Sequence, residues 1–209
     1  MLPPCRDGSS LEAPLELAPL PNNEKWSGRI AYLDRDGVLN KGSPHYVNSA
    51  DEVELLPGAA KAMADLRRSG YRICIITNQS PIGRGMWDHD RLREIHLMLR
   101  DMLLLEDSDA VIDLLLYSPY APEEGSWARK PNPGMLEAGR QLLQSTDGRK
   151  EDFEILYGAE WLDRPSESES VLVGDRLSDI RAGESHGVRS LQCSPSIGLS
   201  GVLEQILGD

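Results

Sequence analysis

The stretch from Ile30 to Asn40 limits the fold more than any other part of the chain. It reads Ile-Ala-Tyr-Leu-Asp-Arg-Asp-Gly-Val-Leu-Asn. A short apolar run stops abruptly at two aspartates, Asp34 and Asp36, and Gly37 follows. An uninterrupted apolar run suits a strand buried on both faces of a parallel sheet, and such sheets hold ligands at the carboxyl ends of their strands. Two carboxylates there have a chemical reading. One can attack a phosphoryl group while the other moves the leaving-group proton, and a divalent cation would hold the charges together. The plain alternative is a strand running into a polar turn, since Asp and Gly are ordinary turn residues.

The rest of the chain repeats the pattern. Arg29–Leu33 reads as the first strand, and a polar loop, Lys41–Val53, follows. A helix is expected from Pro57-Gly58 to Gly70, with Ala59, Ala62, Met63 and Leu66 on one face. Tyr71–Thr77 is a β-branched strand ending in Thr77-Asn78-Gln79-Ser80. Asp88–Leu105 has a helical apolar period; its His89 and His96 read as surface or boundary residues. Ala110–Tyr117 is a third strand, Gly134–Leu143 a helix, and Val171–Val173 a strand running into Gly174-Asp175-Arg176-Leu177-Ser178-Asp179. A helix to about His186, a strand Arg189–Gln192 and a closing helix Leu199–Leu207 complete the order. Strands alternating with helices imply an α/β fold with a mainly parallel sheet and right-handed crossovers.

Residues 1–25, with five prolines and no apolar period, read as a flexible or loosely docked arm. Residues 26–209 are then a single domain. Residues 145–170 read as an acidic, solvated insertion in which Trp161 anchors a short packed element and Arg164–Ser170 is an exposed loop. The formal net charge of -12 opposes a nucleic-acid or anionic-membrane partner. No run is long and apolar enough to span a bilayer, and the start lacks a signal-peptide layout. A cytoplasmic monomer is expected. Cys5, Cys74 and Cys193 are scattered without metal-ligand spacing, and Cys74 reads as a small core residue.

Four polar groups thus fall at strand ends or in the loops beyond: Asp34/Asp36, Thr77/Asn78, Arg129/Lys130 and Asp175/Asp179. The acids suit an oxygen-ligated Mg²⁺. The hydroxyl, amide and lysine suit the oxygens of a transferring phosphoryl group.

Asp-Arg-Asp-Gly-Val-Leu-Asn, Thr77 after its strand, Lys130 in Arg-Lys-Pro-Asn-Pro-Gly-Met and Gly-Asp-Arg-Leu-Ser-Asp resemble the four motifs of the haloacid dehalogenase-like phosphatases. The resemblance covers Arg29 to about Leu191 and is closer to the heptose bisphosphate and histidinol-phosphate phosphatases, through Thr-Asn-Gln-Ser-Pro-Ile-Gly-Arg-Gly. It implies a three-layer Rossmann-like sandwich. It also implies that Asp34 is the nucleophile and that Asp36 is the general acid and base, with its carbonyl on Mg²⁺. Thr77 and Lys130 would hold the phosphoryl oxygens, and Asp175 would complete the metal site. Asn78, Arg129 and the loop around Ser43 and Tyr46 would face the substrate. Asp179 would orient the metal shell or Lys130.

Two departures bear on specificity. Many relatives carry a zinc loop of three cysteines and a histidine before the lysine motif, whereas Tyr117–Ala128 contains neither residue type. No structural zinc is expected, and Tyr120 and Trp127 are expected to hold the loop, Trp127 as a plug rather than a substrate wall. Pro81 stands where a small residue is usual. No segment between the motifs has room for a large cap domain, so the crevice should be open and suit a phosphorylated sugar. The alternatives are a histidinol-phosphate or other small-phosphomonoester phosphatase and a catalytically silent binding scaffold. The presence of Asp34, Asp36, Lys130 and Asp175 together argues against the scaffold.

Overall fold

The computed structural model describes residues 1–146, 148 and 153–208. Among the described residues, six strands form one sheet: β1 Cys5–Arg6, β2 Ile30–Leu33, β3 Arg72–Asn78, β4 Leu114–Ser118, β5 Val171–Gly174 and β6 Arg189–Gln192. Their order is β1-β4-β3-β2-β5-β6. All neighbours are parallel except β1, which runs antiparallel to β4. The helices are α1 Ala59–Arg68, α2 His89–Glu106, α3 Gly134–Gln144, α4 Leu177–His186 and α5 Leu203–Leu207. This is the three-layer, mainly parallel α/β arrangement expected from the sequence.

The alternation of side chains along the strands explains the layers. Ala31, Leu33, Ile73 and Ile75 share one core with α1 and α2 residues such as Met63, Leu66, Leu92 and Leu99. Ile30, Tyr32, Cys74 and Ile76 face the other way and pack with Met135, Leu142 and Ala182 of α3 and α4. Both faces of β2 and β3 are therefore buried, which is why they read as unbroken apolar runs. Asp88 caps α2, its Oδ1 accepting from the Arg91 amide at 2.9 Å.

The structure sharpens three expectations. First, of the two readings of residues 1–25, flexible or docked, the chain takes the docked one. β1 completes the sheet edge, Leu20 is buried, and the carbonyls of Ala18 and Pro19 accept from Arg72 and Arg67. The arm is held by backbone bonds and by single apolar side chains, Leu11, Leu15, Leu17 and Leu20, whose spacing follows neither a helical nor a strand period. Secondly, His96 is fully buried, with Nδ1 3.0 Å from Asp7 Oδ1. Burial pushes its pKa down to about 4 against the pull of Asp7, so this contact is a hydrogen bond to a neutral ring near pH 7. Thirdly, the acidic segment is not uniformly solvated. Glu167 is buried beneath Arg140, which donates from Nε at 2.7 Å, and accepts from Tyr32 Oη at 3.0 Å. His186 Nε2 lies 3.0 Å from the same carboxylate. Trp161 is buried and stacks on His186. Asp147, Glu151 and Asp152 of that segment lie outside the described residues.

Candidate active site

Asp34 continues β2, its amide donating to Val173 O at 3.0 Å, so its position is set by the sheet itself. Its side chain turns back, and Oδ1 accepts from the Arg35 amide at 2.8 Å. Lys130 reaches the same oxygen from the loop between β4 and α3. Its Nζ stands 2.9 Å from Asp34 Oδ1, 2.6 Å from Asp179 Oδ1 and 2.8 Å from Ile76 O. All three ammonium donors are thus engaged, and Lys130 is buried. Burial works against its charge, but Asp179 and Asp34 outweigh that and hold its pKa above the ordinary value.

Asp175 follows β5, and Asp179 lies in the first turn of α4, where its Oδ2 accepts from the Arg176 amide at 2.9 Å. Asp34, Asp175 and Asp179 each offer an oxygen, and these oxygens lie within 4.8 Å of one another. One ammonium does not balance three carboxylates. Burial pushes the Asp34 carboxyl up to about 7, with Lys130 opposing and Asp179 and Asp36 adding. Asp175 Oδ1 is buried without a hydrogen-bond partner. Crowded carboxylates with an orphaned oxygen fit a hard divalent cation. Gly37 permits the approach: it has φ +78°, and a Cβ on it would lie 2.7 Å from Asp175 Oδ2.

The Asp36 side chain lies outside that cluster. Arg35 grips it from Nε and Nη2, the shortest contact being 2.8 Å, and Asn40 and Gln79 donate at 2.9 and 3.3 Å. Burial opposes its charge, but Arg35 prevails and holds the carboxyl below its ordinary pKa. Thr77, near the end of β3, is buried at the cavity floor and accepts from Gln79 at 2.8 Å.

Asn78 lines the cavity but spends its side chain on the backbone. Oδ1 accepts from Lys130 N at 3.1 Å, and Nδ2 donates to Lys130 O at 3.0 Å. Arg129 lines the same cavity and donates to Tyr120 O at 3.0 Å. Ser43 and Tyr46 line the cavity as well, with Tyr46 in a left-handed conformation at φ +67°. The cavity has a volume of about 310 Å³. The catalytic, metal-binding and substrate-facing candidates from the sequence all line this cavity except Asp175, which adjoins through Asp34 and Asp179. Trp127 is not among the lining residues. Its Nε1 donates to Glu137 Oε2 at 2.7 Å, so the ring packs on α3.

Gln79, Arg84 and Arg176 also line the cavity, although the sequence reading gave them no role. All three lie inside motif segments, and that adjacency was the available signal. Gln79 joins Asp36 to Thr77, a link only the folded chain creates.

A family model described as haloacid dehalogenase-like hydrolase matches residues 22–187. A D-glycero-beta-D-manno-heptose-1,7-bisphosphate 7-phosphatase of Pseudomonas aeruginosa is 31% identical over 182 residues, covering 87% of each chain. A D-glycero-D-manno-heptose-1,7-bisphosphate 7-phosphatase of Chlorobaculum tepidum is 32% identical over 172 residues, 79% of this chain and 78% of that protein. Among solved structures, the fold is similar to a D,D-heptose 1,7-bisphosphate phosphatase from B. bronchiseptica complexed with magnesium and phosphate. That comparison has a TM-score of 0.65 at 24% identity and covers 85% of this chain and 99% of the other.

Proposed function

This chain belongs to the haloacid dehalogenase-like hydrolases and is a phosphatase, and from that premise we propose that it removes one phosphate from a sugar bisphosphate by way of an aspartyl-phosphate on Asp34. D-glycero-D-manno-heptose 1,7-bisphosphate, cleaved at the 7-phosphate, is the substrate for which the relatives are named. The observation that carries the mechanism is the placing of Lys130 Nζ between Asp34 and Asp179 at the floor of an open cavity.

In this reading an Asp34 oxygen attacks phosphorus and the bond to the sugar oxygen breaks. Asp36 gives that oxygen a proton, a role for which its carboxyl must part from Arg35, since that pairing holds it in the charged form. Water then attacks the aspartyl-phosphate, Asp36 takes the water's proton, and phosphate leaves with the Asp34 carboxylate restored. Lys130 and Thr77 would hold the phosphoryl oxygens, Lys130 through its charge while its three N–H groups stay on Asp34, Asp179 and Ile76 O, and so offset the charge that develops. Asp34, Asp175 and the Asp36 carbonyl would hold Mg²⁺, with Asp179 beside them. The ion would supply charge neutralisation of the phosphoryl group and of the crowded carboxylates. Asn78 fixes the Lys130 backbone, and Arg129, Ser43 and Tyr46 meet the rest of the substrate. A cytoplasmic location belongs to the same reading, supported by three cysteines carried as free thiols.

Phosphate release across a panel of sugar bisphosphates, sugar monophosphates and histidinol phosphate tests the assignment. The heptose bisphosphate is expected to give the highest kcat/KM. A preference for histidinol phosphate would replace the substrate while leaving the chemistry in place.

A further inference from the structure

The loop between β4 and α3 carries both Arg129 and Lys130, yet its one regular element is the short 3-10 turn Pro122–Glu124. Three of its internal bonds fall on Ser126, which is buried. The Ser126 carbonyl accepts from the Arg129 amide at 3.2 Å and from Asn132 Nδ2 at 3.0 Å. Its hydroxyl accepts from the Ala128 amide at 3.1 Å and donates to Leu2 O at 3.0 Å. That last bond joins residues 124 apart in sequence and ties the loop to the start of the chain. Pro4, next along the arm, is buried, and Cys5–Arg6 pairs with β4 opposite Tyr117 and Leu116, just before the loop begins.

We propose that the N-terminal segment is a positioning element of the active site: through Leu2 O and Ser126 it fixes the loop that sets Lys130 between Asp34 and Asp179. The inference rests on the reading of Lys130 as the phosphoryl-binding cation. The physical argument is one of precision. Lys130 is gripped from the β3 side by Asn78, but the backbone leading into it from Gly125 has little regular structure to stiffen it. A displacement of about 1 Å in a catalytic group can cost on the order of a hundredfold in rate. A seryl hydroxyl that both accepts from the loop and donates to the docked arm removes one such freedom. The strand pairing of β1 holds the arm in register so that Leu2 O is presented at the same place.

Two variants separate this role from simple stabilisation. One lacks residues 1–3, losing Leu2 O but keeping β1. The other is Ser126→Ala, which loses both hydroxyl bonds. Kinetics of phosphate release and amide exchange read by mass spectrometry are compared with the full chain. Both variants are expected to lower kcat about tenfold with a smaller change in KM. Exchange is expected to quicken at Ala128–Lys130 and to stay unchanged in β2, β3 and β5. The inference is overturned if the truncated chain keeps either wild-type kcat or wild-type exchange in this loop. It is also overturned if exchange quickens throughout the sheet, which is the mark of a purely structural role. The exchange measurement needs no substrate, so it still decides the inference if the full chain releases no phosphate. That latter outcome would sink the phosphatase chemistry instead.

Discussion

Lys130 concentrates the electrostatics of the site in one residue. It is buried and triply bonded, and it sits between two carboxylates that would repel each other without it. Losing one preorganised donor of this kind typically costs about 2.7–4 kcal/mol, or about a hundred- to a thousandfold in rate. Lys130→Ala is therefore expected to lower kcat far more than it raises KM. Arg129→Ala should do the reverse, because a cation on the non-reacting part of a substrate binds ground and transition states alike. Steady-state kinetics of the two variants on one substrate check the pair, and a larger kcat loss for Arg129→Ala would exchange the two assignments. The residue types at the strand ends were readable from the sequence, but their partnerships were not. Asp36 being turned onto Arg35, Asn40 and Gln79 depends on side-chain geometry that no spacing encodes. Asn78 looked like a substrate contact, and only the folded chain reveals its two bonds to the Lys130 backbone.

At the scale of elements, the parallel strands were legible because each is buried on both faces and reads as an apolar run. The two-residue β1 was not, since its pairing is a backbone matter. The brace around Glu167 was hidden in the same way, in a segment whose charges suggested solvent. Burial works against the Glu167 carboxylate, but hydrogen bonds from His186 and Arg140 overcome it and bring the pKa down from 4.5 to about 2. The folded state therefore favours the charged form. The stabilisation is complete above about pH 4.5 and is lost as pH falls toward about 2. Thermal unfolding followed across that window should show the midpoint falling for the wild type and a flatter response for Glu167→Gln. At pH 7 that variant should be less stable by about 3–5 kcal/mol, since Arg140 is left buried without its counter-charge. A wild-type midpoint unchanged between those pH values would remove Glu167 from this role.

The whole molecule carries a formal charge of -12 and is proposed to act on an anion, so the site must oppose the global field locally. Lys130 and the arginines that line the cavity do part of this, and the acidic cluster of Asp34, Asp175 and Asp179 makes a divalent cation the natural complement. Chelation should abolish phosphate release and added Mg²⁺ should restore it, with the circular dichroism spectrum unchanged throughout. Asp175→Asn should raise the Mg²⁺ concentration needed for half-maximal activity. Activity that survived exhaustive chelation would contradict the metal assignment. The central claim, however, is covalent: phosphate passes through Asp34. Its most direct test is to quench the enzyme in acid during turnover of a phosphate-labelled substrate and map the labelled peptide. The account predicts label on the peptide containing Asp34, and neither label nor turnover in a folded Asp34→Asn protein. Label on another residue, or an Asp34→Asn protein that releases phosphate at a rate comparable to wild type, would contradict it.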